Sequence, residues 1–164
     1  MSSNPYAASL AGQDARAVLA STPGLLHQAA CKLSPEQIAA PIAPGKWSVR
    51  HIVAHLADCE IAFSFRLRQT LAGPAEGESQ VIVQPFDQTA WARHYAGYDL
   101  ASALALFRSL REWNLKLVGG LSKAELASET IHPERGLLTF QSILDTMAGH
   151  DLNHLSQVQR VAGL

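Results

Sequence analysis

Apolar residues recur at steps of three and four along four stretches of the chain, the spacing of amphipathic helices. In the last stretch, about residues 138–162, Phe140, Ile143, Met147 and Val158 mark one face, and His150 and His154 fall in phase with them. A helix over about 48–72 carries the inward series Ile52, His55, Cys59, Ala62 and Arg66, flanked by Val53, Leu56 and Phe63. Ser48 is its N-cap, and Trp47 staples its entry to the apolar face. A third helix, about 99–119, starts at Asp99 and shows Leu100, Ala103, Phe107, Leu110 and Leu117, with Gly119-Gly120 as its stop. Near the N-terminus, residues 5–20 read as helical. Thr22-Pro23 then predicts a fresh helix start, with Thr as N-cap, running to about Leu33 and carrying Leu25, Leu26, Ala29 and Ala30.

Between these helices, Ser34-Pro35-Glu36 predicts a short helical turn, and Pro41 with Pro44-Gly45 marks an irregular link. The segment 73–98 is long for a connection between antiparallel neighbours, so it can cross the bundle and return the next helix parallel to its predecessor. Within it, Val81-Ile82-Val83 reads as extended and Thr89–Tyr95 as a helical turn. Leu121–Ser128 predicts a short helix, followed by a loop through His132-Pro133-Glu134-Arg135-Gly136. No convincing period-two strand or internal repeat is present. The pattern predicts an all-α chain, a four-helix bundle with additional short helices in the connections, as one domain over 1–164.

Two histidines at i and i+4 lie about 40° apart around a helix and about 6 Å apart along it, so both rings can reach one ion. Burying such rings costs free energy unless something satisfies them. Three neutral imidazoles, His55, His150 and His154, suit Zn, Ni, Fe or Cu better than Ca or Mg. Three protein ligands leave a position open, the arrangement of a catalytic site rather than a closed structural one. Spacing alone also allows hydrogen-bonded core histidines. His51, one turn before His55, reads as a surface residue, and Cys59 as a core filler. Asp58 and Gln157 are candidates to hold the ligating rings in place. A buried guanidinium at Arg66 needs an acidic partner or faces a cavity that takes an anionic group.

Composition narrows the functional classes. The 164 residues are 48% hydrophobic and 16% charged, with a net charge of -1, which describes an ordinary globule. That balance and the lack of a basic run disfavour nucleic acid and anionic membranes as partners. No apolar run approaches the roughly 20 residues that span a bilayer. Two cysteines, Cys31 and Cys59, and an N-terminus without an export signal fit a reduced, cytoplasmic setting. There is no pair of Glu-x-x-His motifs on helices, no HExxH, no G-x-S-x-G and no phosphate-binding Gly loop, so di-iron, serine hydrolase and nucleotide-dependent activities lack support.

The chain resembles the DinB/YfiT-like metal-binding bundles in two segments. One is Gly45-Lys-Trp-Ser-Val-Arg-His-Ile-Val-Ala-His55-Leu-Ala-Asp-Cys-Glu60, similar to that family's Trp-Ser…His-Leu-x-Asp-x-Glu. The other is His150-Asp-Leu-Asn-His154-Leu-Ser-Gln157, similar to its His-x-x-x-His-x-x-Gln. Phe86-Asp87-Gln88 with Trp91-Ala92, Phe107 with Arg111, and His132–Gly136 fit the same pattern, so the likeness covers about residues 20–162. His51 departs from it, standing where an acidic residue is more usual. The resemblance implies an up-down-down-up bundle, frequent homodimers, and a divalent transition metal, Zn or Ni ahead of Fe or Mn, held by His55, His150 and His154. It also implies an enzyme in which the ion activates a low-molecular-weight thiol for transfer to a small electrophile, with Arg66 orienting an anionic group. The competing expectation is a non-catalytic metal-binding stress-response bundle.

Overall fold

The computed structural model describes residues 4–164; residues 1–3, the start of the N-terminus that carries no export signal pattern, lie outside it. The elements in chain order are α1 (Ala7–Leu10), α2 (Ala15–Ala30), α3 (Pro35–Ala39), α4 (Val49–Ala72), α5 (Gln88–Ala92), a single 3-10 turn (Tyr95–Gly97), α6 (Leu100–Gly119), α7 (Lys123–Leu126), β1 (Glu129–His132), β2 (Gly136–Thr139) and α8 (Phe140–Val161). Side-chain oxygens fix the starts of the four long helices. Asp14, Ser48, Asp99 and Thr139 each accept an otherwise orphaned backbone N–H.

The contacts between the long helices give their directions. Glu60 meets Arg111 and Ser64 meets Asn114 at nearly constant sequence separations of 51 and 50, so α4 and α6 run parallel. His55 faces His150, whereas Phe63 and Arg66 line a cleft with Ile143 and Thr146, so α4 and α8 run antiparallel. Arg111 reaches Leu19 while His27 lies beside Ala101 and Leu104, which makes α2 antiparallel to α6. The result is an up-down-down-up four-helix bundle. The segment after α4 makes the return crossing that its length predicts.

Two expectations from the sequence are corrected. Thr22-Pro23 does not start a helix: α2 runs unbroken from Ala15 to Ala30 with Asp14 as its N-cap. Thr22 is buried and its Oγ1 donates to Val18 O at 2.8 Å. Proline at 23 has no N–H for the carbonyl four residues earlier, and Arg111 Nη1 of α6 donates to that Leu19 carbonyl instead, at 3.0 Å. A partner from another helix thus supports a proline inside this one. Residues 5–20 are likewise two pieces, α1 and the start of α2, separated by a turn with Ala11 at φ 49° and Gly12 at φ 76°.

The second correction is a hairpin where a loop was expected. β1 and β2 pair antiparallel from Glu129 with Thr139 to His132 with Gly136. Val81 O accepts from Ile131 N–H at 2.8 Å and Ile131 O from Val83 N–H at 3.0 Å, so residues 81–83 are extended, as expected, alongside β1. The bundle remains the frame. Its core has two apolar clusters, one containing Leu19, Phe63, Leu67, Leu144 and Met147, the other Ile52, Leu56, Phe107, Leu155 and Val158. Polar side chains of α4, α6 and α8 fill the level between them. Among the described residues, no helix is long and apolar enough to cross a membrane.

Candidate metal centre

α4 and α8 bring the three predicted histidines together. The Ser48 cap fixes the first turn of α4, and the half-buried Trp47 ring lies 4.8 Å from the His55 ring. On α8, His150 and His154 are one turn apart with ring centroids separated by 4.6 Å, and each lies 5.1 Å from the His55 ring. His55 is 1% exposed and His150 5%, so water does not satisfy them. Their Nε2 atoms face each other at 3.1 Å. Two donors on one tetrahedral ion, each about 2.0–2.1 Å from it, stand about 3.3 Å apart. Nδ1 of His150 and Nδ1 of His154 are buried without a hydrogen-bond partner. The facing Nε2 atoms of His55 and His150, with the His154 ring beside them, fit a divalent transition ion.

Burial also sets the charge state. It is the main cause that lowers His55 to about 3, aided by His154. It lowers His154 to about 4, opposed by a hydrogen bond with Gln157. His150 is driven well below the usual imidazole range by burial, then by His154, His55, Arg111 and Arg135. All three rings are neutral at pH 7, the form that ligates a metal.

Cys59 joins this group. Its Sγ lies 3.4 Å from His55 Nε2 and 3.9 Å from His150 Nε2, and His55, Cys59 and His150 present ligand atoms all within 4.8 Å of one another. The sequence treats Cys59 as a core filler, and it is indeed buried, but in contact with the imidazoles. Burial, Asp151 and Asp58 push its thiol well up, so the sulfur is protonated without a metal.

The other sequence candidates divide. Gln157 stands beside His154. Asp58 is turned toward the Tyr95 side of α4, lining clefts with Tyr98; burial raises its carboxyl and Tyr95 opposes this. His51 is outside the cluster, with Nδ1 at 3.1 Å from Ser48 Oγ and its ring stacked on Tyr95. Arg66 is buried with no carboxylate within ion-pair distance among the described residues. Its Nε and Nη2 donate to Gln84 O at 3.2 and 2.6 Å.

Two features of the site are not visible in the periodicity. Arg111, 1% exposed, donates from Nε and Nη2 to Glu60 and from Nη1 to Asp151 at 2.7 Å, while Asn114 also donates to Glu60. Burial pushes Asp151 up to about 6 although Arg111 pulls it down. Glu60 follows Cys59 and Asp151 follows His150, so this cluster anchors both α4 and α8 beside the histidines. The N-terminal segment forms the other feature: the Tyr6 ring lies edge-on to His150 at 5.1 Å. A Cβ at Gly149 would come within 2.5 Å of Tyr6 O, so glycine permits this approach.

Comparison with known proteins places this geometry. The family model of the DinB superfamily matches residues 19–158. The chain belongs to the DinB superfamily. Among its relatives is a proposed metal-dependent hydrolase of Oceanobacillus iheyensis, 28% identical over 83% of this chain and 77% of that protein. YfiT of Bacillus subtilis, also named a proposed metal-dependent hydrolase, is 25% identical over 88% of this chain and 80% of its own. The solved structure of Bacillus subtilis YfiT, described as an unusual four-helix bundle topology, superimposes with a TM-score of 0.81 over 91% of this chain and 84% of that one, at 24% identity. The DinB fold is therefore shared across nearly the whole chain.

Proposed function

We propose that this DinB-superfamily chain is a metal-dependent enzyme that activates a low-molecular-weight thiol for transfer to a small electrophile. The observation that supports this best is the convergence of three neutral imidazoles, His55 and His150 buried and His154 half-buried, with ring centroids 4.6 to 5.1 Å apart. Bound there, a divalent transition ion, with Zn or Ni ahead of Fe or Mn, supplies the positive charge that makes a coordinated thiol acidic near neutral pH. The chain's own residues do the rest. His55, His150 and His154 hold the ion, and Gln157 steadies the His154 ring. Trp47, Tyr6 and Phe63 wall the rings and limit water.

The names of the relatives suggest hydrolysis, which needs a group to take a proton from water. Glu60 and Asp151 are both engaged by Arg111, and Asp58 is turned toward Tyr95. The two carboxylates next in sequence to Cys59 and His150 are thus held by Arg111 and are not free to serve as that base. A thiol is far more acidic than water and makes a smaller demand of this kind. A second reading is favoured by Cys59: a thiolate from Cys59 would close the coordination sphere and leave a structural, non-catalytic site.

The test is conjugate formation with a panel of thiols and electrophiles, using metal-loaded and metal-stripped protein. The account expects thiol consumption only in loaded protein. Absence of activity throughout, with Cys59 bonded to the metal, would establish the structural reading. Ester or amide cleavage without added thiol would move the function to hydrolysis.

A further inference from the structure

One turn along α8 from His150, and two to three turns along α4 from His55, lies a cleft lined by Phe63, Arg66, His132, Arg135 and Thr146, among others. Its positive charge is unbalanced. Buried Arg66 gives two nitrogens to the Gln84 carbonyl, and Nη1 has no hydrogen-bond partner among the described residues. Arg135 is exposed at the mouth and repels Arg66; Glu134, also exposed, attracts it but makes no ion pair within reach. His132 is 4% exposed and accepts the Glu134 N–H on Nδ1 at 3.2 Å, so its proton sits on Nε2 as a further donor. Phe63 and Phe86 each lie 5.8 Å from the Arg66 guanidinium carbon and hold its plane.

We propose that Arg66, Arg135 and the His132 Nε2–H form a subsite for a carboxylate on the thiol substrate, beside the metal centre. The existing cavity is about 10 Å³, the space of one water, so the carboxylate enters at the Arg135 mouth as that exposed side chain swings. Thr146 stands one turn, about 6 Å, along α8 from His150, and Arg66 about 16 Å along α4 from His55. The Phe63 ring, 6.4 Å from His150, separates the two sites. The separation along both helices therefore selects a molecule that carries its sulfur and its carboxylate at opposite ends of a chain of several atoms. Two guanidinium donors favour a carboxylate over a neutral group through charge-assisted hydrogen bonds.

This subsite deepens the thiol reading and rests on it for the sulfur end only. Three probes separate the two ideas in calorimetric titrations of cobalt-loaded protein: 6-mercaptohexanoate, 6-mercaptohexanol and hexanoate. The subsite predicts that mercaptohexanoate binds about tenfold or more tighter than the alcohol. Arg135→Gln, at an exposed position, and Arg66→Gln should each erase most of that preference without changing metal content. Equal affinity of the two thiols in the wild type, or a preference untouched by Arg135→Gln in folded protein, would overturn the subsite and leave the thiol reading standing. Hexanoate binding as tightly as mercaptohexanoate, with arginine dependence, would support the subsite and overturn the thiol reading.

Discussion

A neutral imidazole in an apolar pocket is a base held away from its proton, and this gives the metal-free protein a pH dependence. Unfolded histidine protonates near 6.5. His55 and His154, lowered to about 3 and about 4, and His150, lowered further than the ordinary range, resist protonation in the fold. The unfolded chain then binds more protons below about pH 6.5, so this contribution is complete above that pH and is lost as pH falls toward 4. Asp151, raised to about 6, works in the opposite sense between about 4 and 6, but it is one group against three. Urea midpoints of stripped protein should fall from pH 7 to pH 4.5; a flat profile contradicts three histidines held neutral in the fold. His150 and His154 were legible in the sequence because each interrupts an apolar series in phase. The approach of Cys59 was not, because spacing along one helix says nothing of a side chain's neighbours on another.

At the scale of elements, one guanidinium ties four helices. Arg111 of α6 bonds Glu60 of α4, Asp151 of α8 and the Leu19 carbonyl that Pro23 leaves open on α2. Replacing it with methionine leaves two buried acids without their partner, which costs about 3–5 kcal/mol. A loss under about 1 kcal/mol in urea unfolding would show that the cluster does not join the helices. This network also explains why Thr22-Pro23 misleads: a proline signal is local, and the carbonyl it frees finds a donor 92 residues away. The hairpin was missed for a different reason. Each strand has only four residues, too few for alternation to stand out, and its pairing depends on Val81 and Val83. Gly149→Ala should push α1 off α8 and raise amide exchange over residues 4–10 about tenfold or more. Unchanged exchange there would mean that Tyr6 is not held against the centre.

For the whole molecule, the parallel pair α4 and α6 is the feature that the long 73–98 link made readable. Antiparallel packing of α4 on α8 then places His55 opposite His150. The ion should add a second tie between α4 and α8 beside the Arg111 cluster. Metal at 100 times its dissociation constant should add about 2.7 kcal/mol to stability. His154→Ala should remove most of that gain in thermal unfolding while the stripped proteins remain comparably folded. An equal gain in the variant would place the metal elsewhere.

The most direct test of the account is a metal-edge anomalous difference map from crystals of metal-loaded protein. The account predicts one peak bonded to His55, His150 and His154, with a coordination position not filled by the chain. A peak away from these rings, or one whose remaining position is closed by Cys59, would contradict it.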